Sequence, residues 1–229
     1  MKILALETTD KVGGVAALCD ANVLAELDLD KAAKSAQSLL PAMRQLLQQV
    51  GWTPQDVRLV AVSIGPGSFT GLRVGATAAK VFAYSVGAEV MAVSTLETIA
   101  AGATATPGQP LSVVLDAQRG DVVTQWYALR DAQTVEPLGP EELIPADVWL
   151  ARLTPGSLVT GPALGRLVHR LPAGVMTLPP DCWRPRAAVV GRLAARYHGQ
   201  GRRDDLWKLA PRYFRRSAAE EKWDAMGKP

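Results

Sequence analysis

The sequence predicts an α/β protein of mixed sheets flanked by helices, and three observations predict it. A meander of three short strands opens the chain. A strand, glycine-rich turn, helix and strand follow, the pattern of a βαβ unit with a parallel pair. After a Gly/Thr/Pro-rich stretch the alternation of strands and helices restarts in the second half.

Ile3–Leu6 is short and apolar and reads as a buried strand. The pattern resumes over Val12–Leu18, with Gly13 and Gly14 at its start, and Asn22–Leu29 alternates after the turn at Asp20. Such runs joined by tight turns make an antiparallel meander. A helix follows with Ser35 as its N-cap. Leu39, Leu40, Met43, Leu46, Leu47 and Val50 fall on one of its faces, a stripe apolar enough to need a cover, and Gly51 closes it. Leu59–Ile64 is β-branched and continuous, hence buried on both faces. It runs into Gly65-Pro66-Gly67-Ser68-Phe69-Thr70-Gly71-Leu72-Arg73, then a small-residue helix to about Val86 and a strand over Glu89–Val93.

Ala101–Pro110 reads as the linker, giving an N-terminal unit over 1–105 and a smaller C-terminal unit over 106–229. In the latter, Leu111–Leu115 and Val122–Leu129 read as strands, Pro140–Leu153 as a helix and Ser157–Thr160 as a strand. Leu164–Leu171 and Pro185–Tyr197 read as helices.

Composition excludes several classes. Hydrophobic residues make up 48% and charged residues 21% of 229, ordinary globular values. No apolar run approaches the roughly 18–20 residues that span a bilayer, and the N-terminus is too briefly apolar for a signal peptide. The expected location is cytoplasmic, with no membrane partner. Cys19 and Cys182, far apart in sequence, read as buried thiols and not as a disulfide framework. The net charge of +3 is unevenly placed: the segment from Asp181 onward carries +6 and the rest −3. Trp207 to Arg216 interleaves aromatic and basic residues. That fits tRNA contact through Arg212, Arg215 and Arg216, or a tail anchored by its aromatics with the Arg heads in water.

The glycine-rich turn lies after a strand and before a helix, where backbone N–H groups can hold a phosphate. Gly65, Gly67, Ser68, Thr70, Gly71 and Arg73 form this candidate, vestigial anion loop. The competing reading is close packing of helix and strand. A dinucleotide fingerprint is disfavoured because Glu89 stands at the start of its strand, and no Gly-Lys-Ser/Thr follows for a P-loop. Ser68 lacks the nucleophile-elbow spacing. His169 and His198 form no metal-binding pair, and no metal is expected. Glu7, Asp10 and Asp116 are the carboxylates that an actin-like ATPase or phosphotransferase would place at a shared cleft, which makes such an enzyme the runner-up reading. The turns around them, Glu7-Thr8-Thr9-Asp10 and Asp116-Ala117-Gln118-Arg119-Gly120, lack the glycines of a phosphate cradle.

The run Gly65 to Gly75 resembles the signature of the TsaB family, also called YeaZ-like. Ile3-Leu4-Ala5-Leu6-Glu7-Thr8-Thr9, Ser94-Thr95-Leu96-Glu97, Leu115 to Gly120, Thr160-Gly161-Pro162-Ala163-Leu164 and Pro211-Arg212-Tyr213-Phe214-Arg215 fit it in order. The resemblance implies an actin-like fold of two related lobes, of the sugar-kinase and Hsp70 superfamily. It implies a non-catalytic subunit in forming threonylcarbamoyladenosine on the tRNA adenosine 3′ of the anticodon. The catalytic paralogue is TsaD, with a His-x-x-x-His motif that is absent here, and TsaE is the associated ATPase. Implied partners are a TsaD-like paralogue, a TsaE-like ATPase and a second copy of the chain, with tRNA engaged indirectly. No cofactor is implied for the chain alone; a nucleotide at a subunit boundary is left open. Carried onto this sequence, the partner surface would be Ser35, Leu39, Leu40, Met43, Leu46 and Leu47, with Leu72, Ala76 and Ala79 of the next helix. Two departures stand out: Glu7 where Asp is usual, and Lys34-Ser35-Ala36-Gln37 where His-Ser-Glu often opens the helix.

Overall fold

A computed structural model describes residues 1–30, 35–104, 108–130 and 134–215. The first sheet has the order β3-β2-β1-β4-β5, built from β1 (Lys2–Glu7), β2 (Gly14–Cys19), β3 (Asn22–Asp28), β4 (Leu59–Ser63) and β5 (Glu89–Val93). β1, β2 and β3 pair antiparallel as the meander predicts, whereas β1 pairs parallel with β4 and β4 with β5. The continuous apolar run of β4 is buried at every position, as a central strand covered on both faces requires.

Two helices cover one face of this sheet: α1 (Ser35–Gln49) and α2 (Phe69–Val86). Ser68 caps α2, its hydroxyl accepting from the Gly71 N–H at 3.2 Å, and Gly87 ends it in the left-handed conformation at φ 70°. The other face is covered from far along the chain by α6 (Ala187–Gly199), whose Ala187, Val190 and Leu193 pack with Ile3, Ala5, Leu18 and Met91. α6, which falls within the 106–229 unit, thus packs on the sheet of the 1–105 unit.

The second sheet has the order β11-β10-β6-β7-β8, with β9 also pairing β7. It comprises β6 (Pro110–Asp116), β7 (Asp121–Leu129), β8 (Val135–Pro137), β9 (Glu142–Pro145), β10 (Leu158–Thr160) and β11 (Met176–Thr177). α3 (Thr95–Ala101) packs on one face, while α4 (Ala146–Ala151) and α5 (Leu164–Leu167) cover the other. The helix expected over Pro140–Leu153 is half strand. Glu142–Pro145 pairs with β7, and Pro145, unable to donate within a helix interior, stands at the N-cap of α4. The helix expected over Leu164–Leu171 shortens to α5 and a 3₁₀ turn, and α3 occupies the start of the expected linker. Cys19 is exposed and Cys182 half-buried, both free, so the reading of two buried thiols is corrected.

Candidate functional site

The glycine-rich turn and the first turn of the chain are interlocked. The Thr8 hydroxyl donates to the Gly71 carbonyl at 2.7 Å, and the Ser68 N–H donates to the Thr9 carbonyl at 2.7 Å. A Cβ at residue 71 would overlap the Thr8 carbonyl oxygen, and one at residue 75 would overlap the Thr8 hydroxyl. At position 67 it would stand 2.5 Å from the Thr9 carbonyl oxygen, and at position 65 2.6 Å from that of Arg212. The space beside these glycines is thus filled by carbonyl oxygens, which are acceptors and repel an anion. Of the two readings of Gly65, Gly67, Ser68, Thr70, Gly71 and Arg73, close packing accounts for Gly65, Gly67 and Gly71, whose missing side chains leave room for neighbouring backbone. Arg73 is taken up elsewhere: its guanidinium stacks on Phe69 with 4.0 Å to the ring centroid and donates to the Tyr213 hydroxyl at 3.1 Å.

Glu7 is wholly buried. One of its oxygens accepts from both the backbone N–H and the hydroxyl of Thr9, each at 2.5 Å, and the other has no hydrogen-bond partner. Burial pushes its carboxyl above the usual range, against the pull of the Thr9 hydrogen bonds and with help from Asp10. Asp116 ends β6 in an ion pair with Arg166 at 2.9 Å.

The stripe drawn from helical periodicity is mostly inward. Leu39, Met43, Leu46 and Leu47 of α1 lie in the core with Leu4, Leu6, Val15 and Val60, and Ala79 of α2 joins them. Leu72 and Ala76 are buried too. These seven residues are buried within the chain itself, whereas Leu40, 62% exposed, faces out. Ser35 opens α1, its side chain lying outside the described residues.

What the outer side of these helices presents instead is Val81 and Tyr84 of α2, 63% and 69% exposed, joined by Trp207, 71% exposed. Tyr84 and Trp207 meet edge to face with centroids 5.6 Å apart, and the Lys80 ammonium holds the Trp207 and Leu209 carbonyls at 3.1 and 3.2 Å. Sequence reading missed this ledge because Trp207 comes to α2 only through the tertiary fold, although the isolated Val81 and Tyr84 one turn apart were a signal.

The basic tail is largely neutralised. Arg212 pairs with Glu141 at 2.8 Å and Arg215 pairs with Asp121; Arg216 lies outside the described residues. His169 is exposed, and His198 contacts Glu89 at 2.7 Å.

Two mixed sheets in series, the first opening with an antiparallel meander and continuing parallel, define an actin-like α/β protein. The model of the TsaD family, described as tRNA N6-adenosine threonylcarbamoyltransferase, matches residues 30–183, and this chain belongs to that family as a TsaB/YeaZ-like member. It is 35% identical to the tRNA threonylcarbamoyladenosine biosynthesis protein TsaB of Bacillus subtilis over 67% of this chain and 66% of that one. It is 34% identical to the Escherichia coli protein of the same description over 56% and 55% of the two chains. The chain thus spans between about half and two thirds of the length of these curated relatives. The solved structure of YeaZ from Pseudomonas aeruginosa superposes with a TM-score of 0.78 at 25% identity, covering 93% of this chain and 99% of that one.

Proposed function

We propose that this chain is a non-catalytic partner subunit in the formation of threonylcarbamoyladenosine on tRNA, scaffolding a TsaD-like catalytic paralogue. The observation that carries the reading is the ledge of Val81, Tyr84 and Trp207, three large apolar side chains left in water on one side of α2. Aromatic anchors of this kind are what buried interface centres are made of. The family's pairing through its first two helices then uses their outer side, with Leu40 on α1, and not the stripe that closes the core. A second copy of the chain would compete for the same ledge, and a TsaE-like ATPase would join through the paralogue.

Support for a non-catalytic role comes from the carboxylates. Glu7 is sealed behind Thr9 and the glycine-rich turn, and Asp116 is engaged by Arg166. His169 and His198, the sequence's two histidines, cannot make a His-x-x-x-His motif. The chain is read as carrying no cofactor of its own, and tRNA as reaching it through the assembly.

The test is co-purification with the TsaD-like protein of the same organism, comparing wild type with Tyr84→Arg. A stoichiometric complex with wild type that the arginine abolishes is the expected result. No complex with wild type, or one indifferent to Tyr84→Arg and Val81→Arg, would overturn the assignment of the ledge.

A further inference from the structure

We infer that residues 202–215 form a two-part clasp through which α2 and the turn between β6 and β7 of the second sheet are held in one relative setting. The inference stands apart from the identity of any partner. Its first part is fastened to the first sheet and to α2. Asp204 accepts from the Ala92 N–H at 2.7 Å and bridges to Val90, covering the free edge of β5. Arg202 donates to the Ala92 carbonyl at 3.0 Å, Lys80 holds two strap carbonyls, and Leu209 is buried in the first core. These are short-range backbone and core contacts.

The crossing occurs over four residues. The Arg212 N–H donates to the Ile64 carbonyl at 2.7 Å, still on the first sheet, while the Arg212 guanidinium reaches Glu141. Tyr213 lies against Phe69 of α2, ring centroids 4.7 Å apart, and its hydroxyl takes the Arg73 hydrogen bond. Phe214 packs on the core beneath the second sheet, and Arg215 pairs with Asp121 at the first residue of β7. Glu141 is a node, since it also accepts from the Ser94 hydroxyl at 3.0 Å, ahead of α3. An unbroken path therefore runs from Arg73 through Tyr213 and Arg215 to the turn that Asp116 and Asp121 bound.

The two parts differ in kind. The first combines hydrogen bonds to the β5 backbone, the Arg202–Asp204 ion pair, the Lys80 contacts and the buried Leu209. The second reaches the second sheet through the packed Phe214 and through the Arg212–Glu141 and Arg215–Asp121 ion pairs, the charge-dependent links that salt weakens. The second part is thus the one that releases, leaving the first in place, and a disturbance at Arg73 on α2 is felt at Asp121.

Amide hydrogen exchange on the full chain tests this, because the Ala117 and Asp121 N–H groups are both hydrogen-bonded within the turn. Glu141→Gln with Arg215→Gln is expected to speed exchange at Ala117 and Asp121 by about 5- to 30-fold, with the Ala92 N–H unchanged. Arg73→Ala, at the far end of the path, is expected to speed the same two amides. Arg152→Gln, which breaks the Glu142 pair in the same half of the molecule, is expected to leave them alone. If Arg73→Ala does not move the Asp121 amide, there is no coupling and the inference falls. It falls equally if Ala92 exchanges faster in step with the turn, since the clasp then opens as one piece or the whole protein is destabilised.

Discussion

Glu7 and Thr9 are joined twice: a single carboxyl oxygen of Glu7 accepts both the backbone N–H and the hydroxyl of Thr9, while its second oxygen is buried without a partner. Among the described residues no cation offsets this group, and burial favours the protonated acid.

Stability should therefore fall with rising pH. A carboxyl whose folded pKa lies above its unfolded one retains its proton longer in the native state. Its contribution is fully present below the unfolded value and is lost as pH climbs toward the folded value, at about 1.4 kcal/mol per unit of difference. Glu7→Gln keeps an acceptor for Thr9 and cannot ionise. Urea denaturation between pH 4 and 8 is expected to show a flatter profile for this variant, with the variant the more stable at the alkaline end. An unchanged slope would assign the pH dependence to another group.

Gly71→Ala places a methyl group on the Thr8 carbonyl, which is backbone and cannot rotate away. The expected loss is about 1–3 kcal/mol or more, read from the denaturation midpoint. A neutral result would mean that α2 and the first turn stand further apart than described.

Leu46→Arg and Tyr84→Arg separate folding from binding. Leu46 is fully buried and Tyr84 is 69% exposed. An uncompensated charge at position 46 costs several kcal/mol and should leave little folded protein, whereas at position 84 the melting temperature should barely move. Circular dichroism melting distinguishes them before any partner is added.

Ser112 is buried between two partners: it accepts the Trp149 indole N–H at 3.1 Å and lies 3.2 Å from the Thr124 hydroxyl. Ser112→Ala strands a buried indole N–H, with an expected loss of about 1–3 kcal/mol. Trp149→Phe in the same background removes the orphaned donor. The two losses should then be less than additive in a double-mutant cycle.

Much of the fold was legible because local chemistry and tertiary context agree. The β-branched run of β4, Gly51 just beyond α1 and the alternation of the meander each fix an element by themselves. The segment Pro140–Leu153 was not, because acidic and apolar residues there satisfy a helical period until Pro145 divides it. The stripe of α1 shows the limit most clearly. Periodicity states that Leu39, Met43, Leu46 and Leu47 share a face, but not whether that face turns toward a sheet or toward a partner. Periodicity alone therefore does not place a partner surface, and the ledge of Val81 and Tyr84 is completed by Trp207, which reaches α2 only through the tertiary fold.

That late arrival extends to α6. The face of the first sheet bearing Ile3, Ala5, Leu18 and Met91 stays bare until Ala187–Gly199 has been synthesised and has folded back over it. On the ribosome, β1 and β2 therefore wait for a helix made much later with an apolar surface open to chance encounters, a period in which chaperones have something to hold. Truncation just before α6 would leave the molecule in that waiting state permanently.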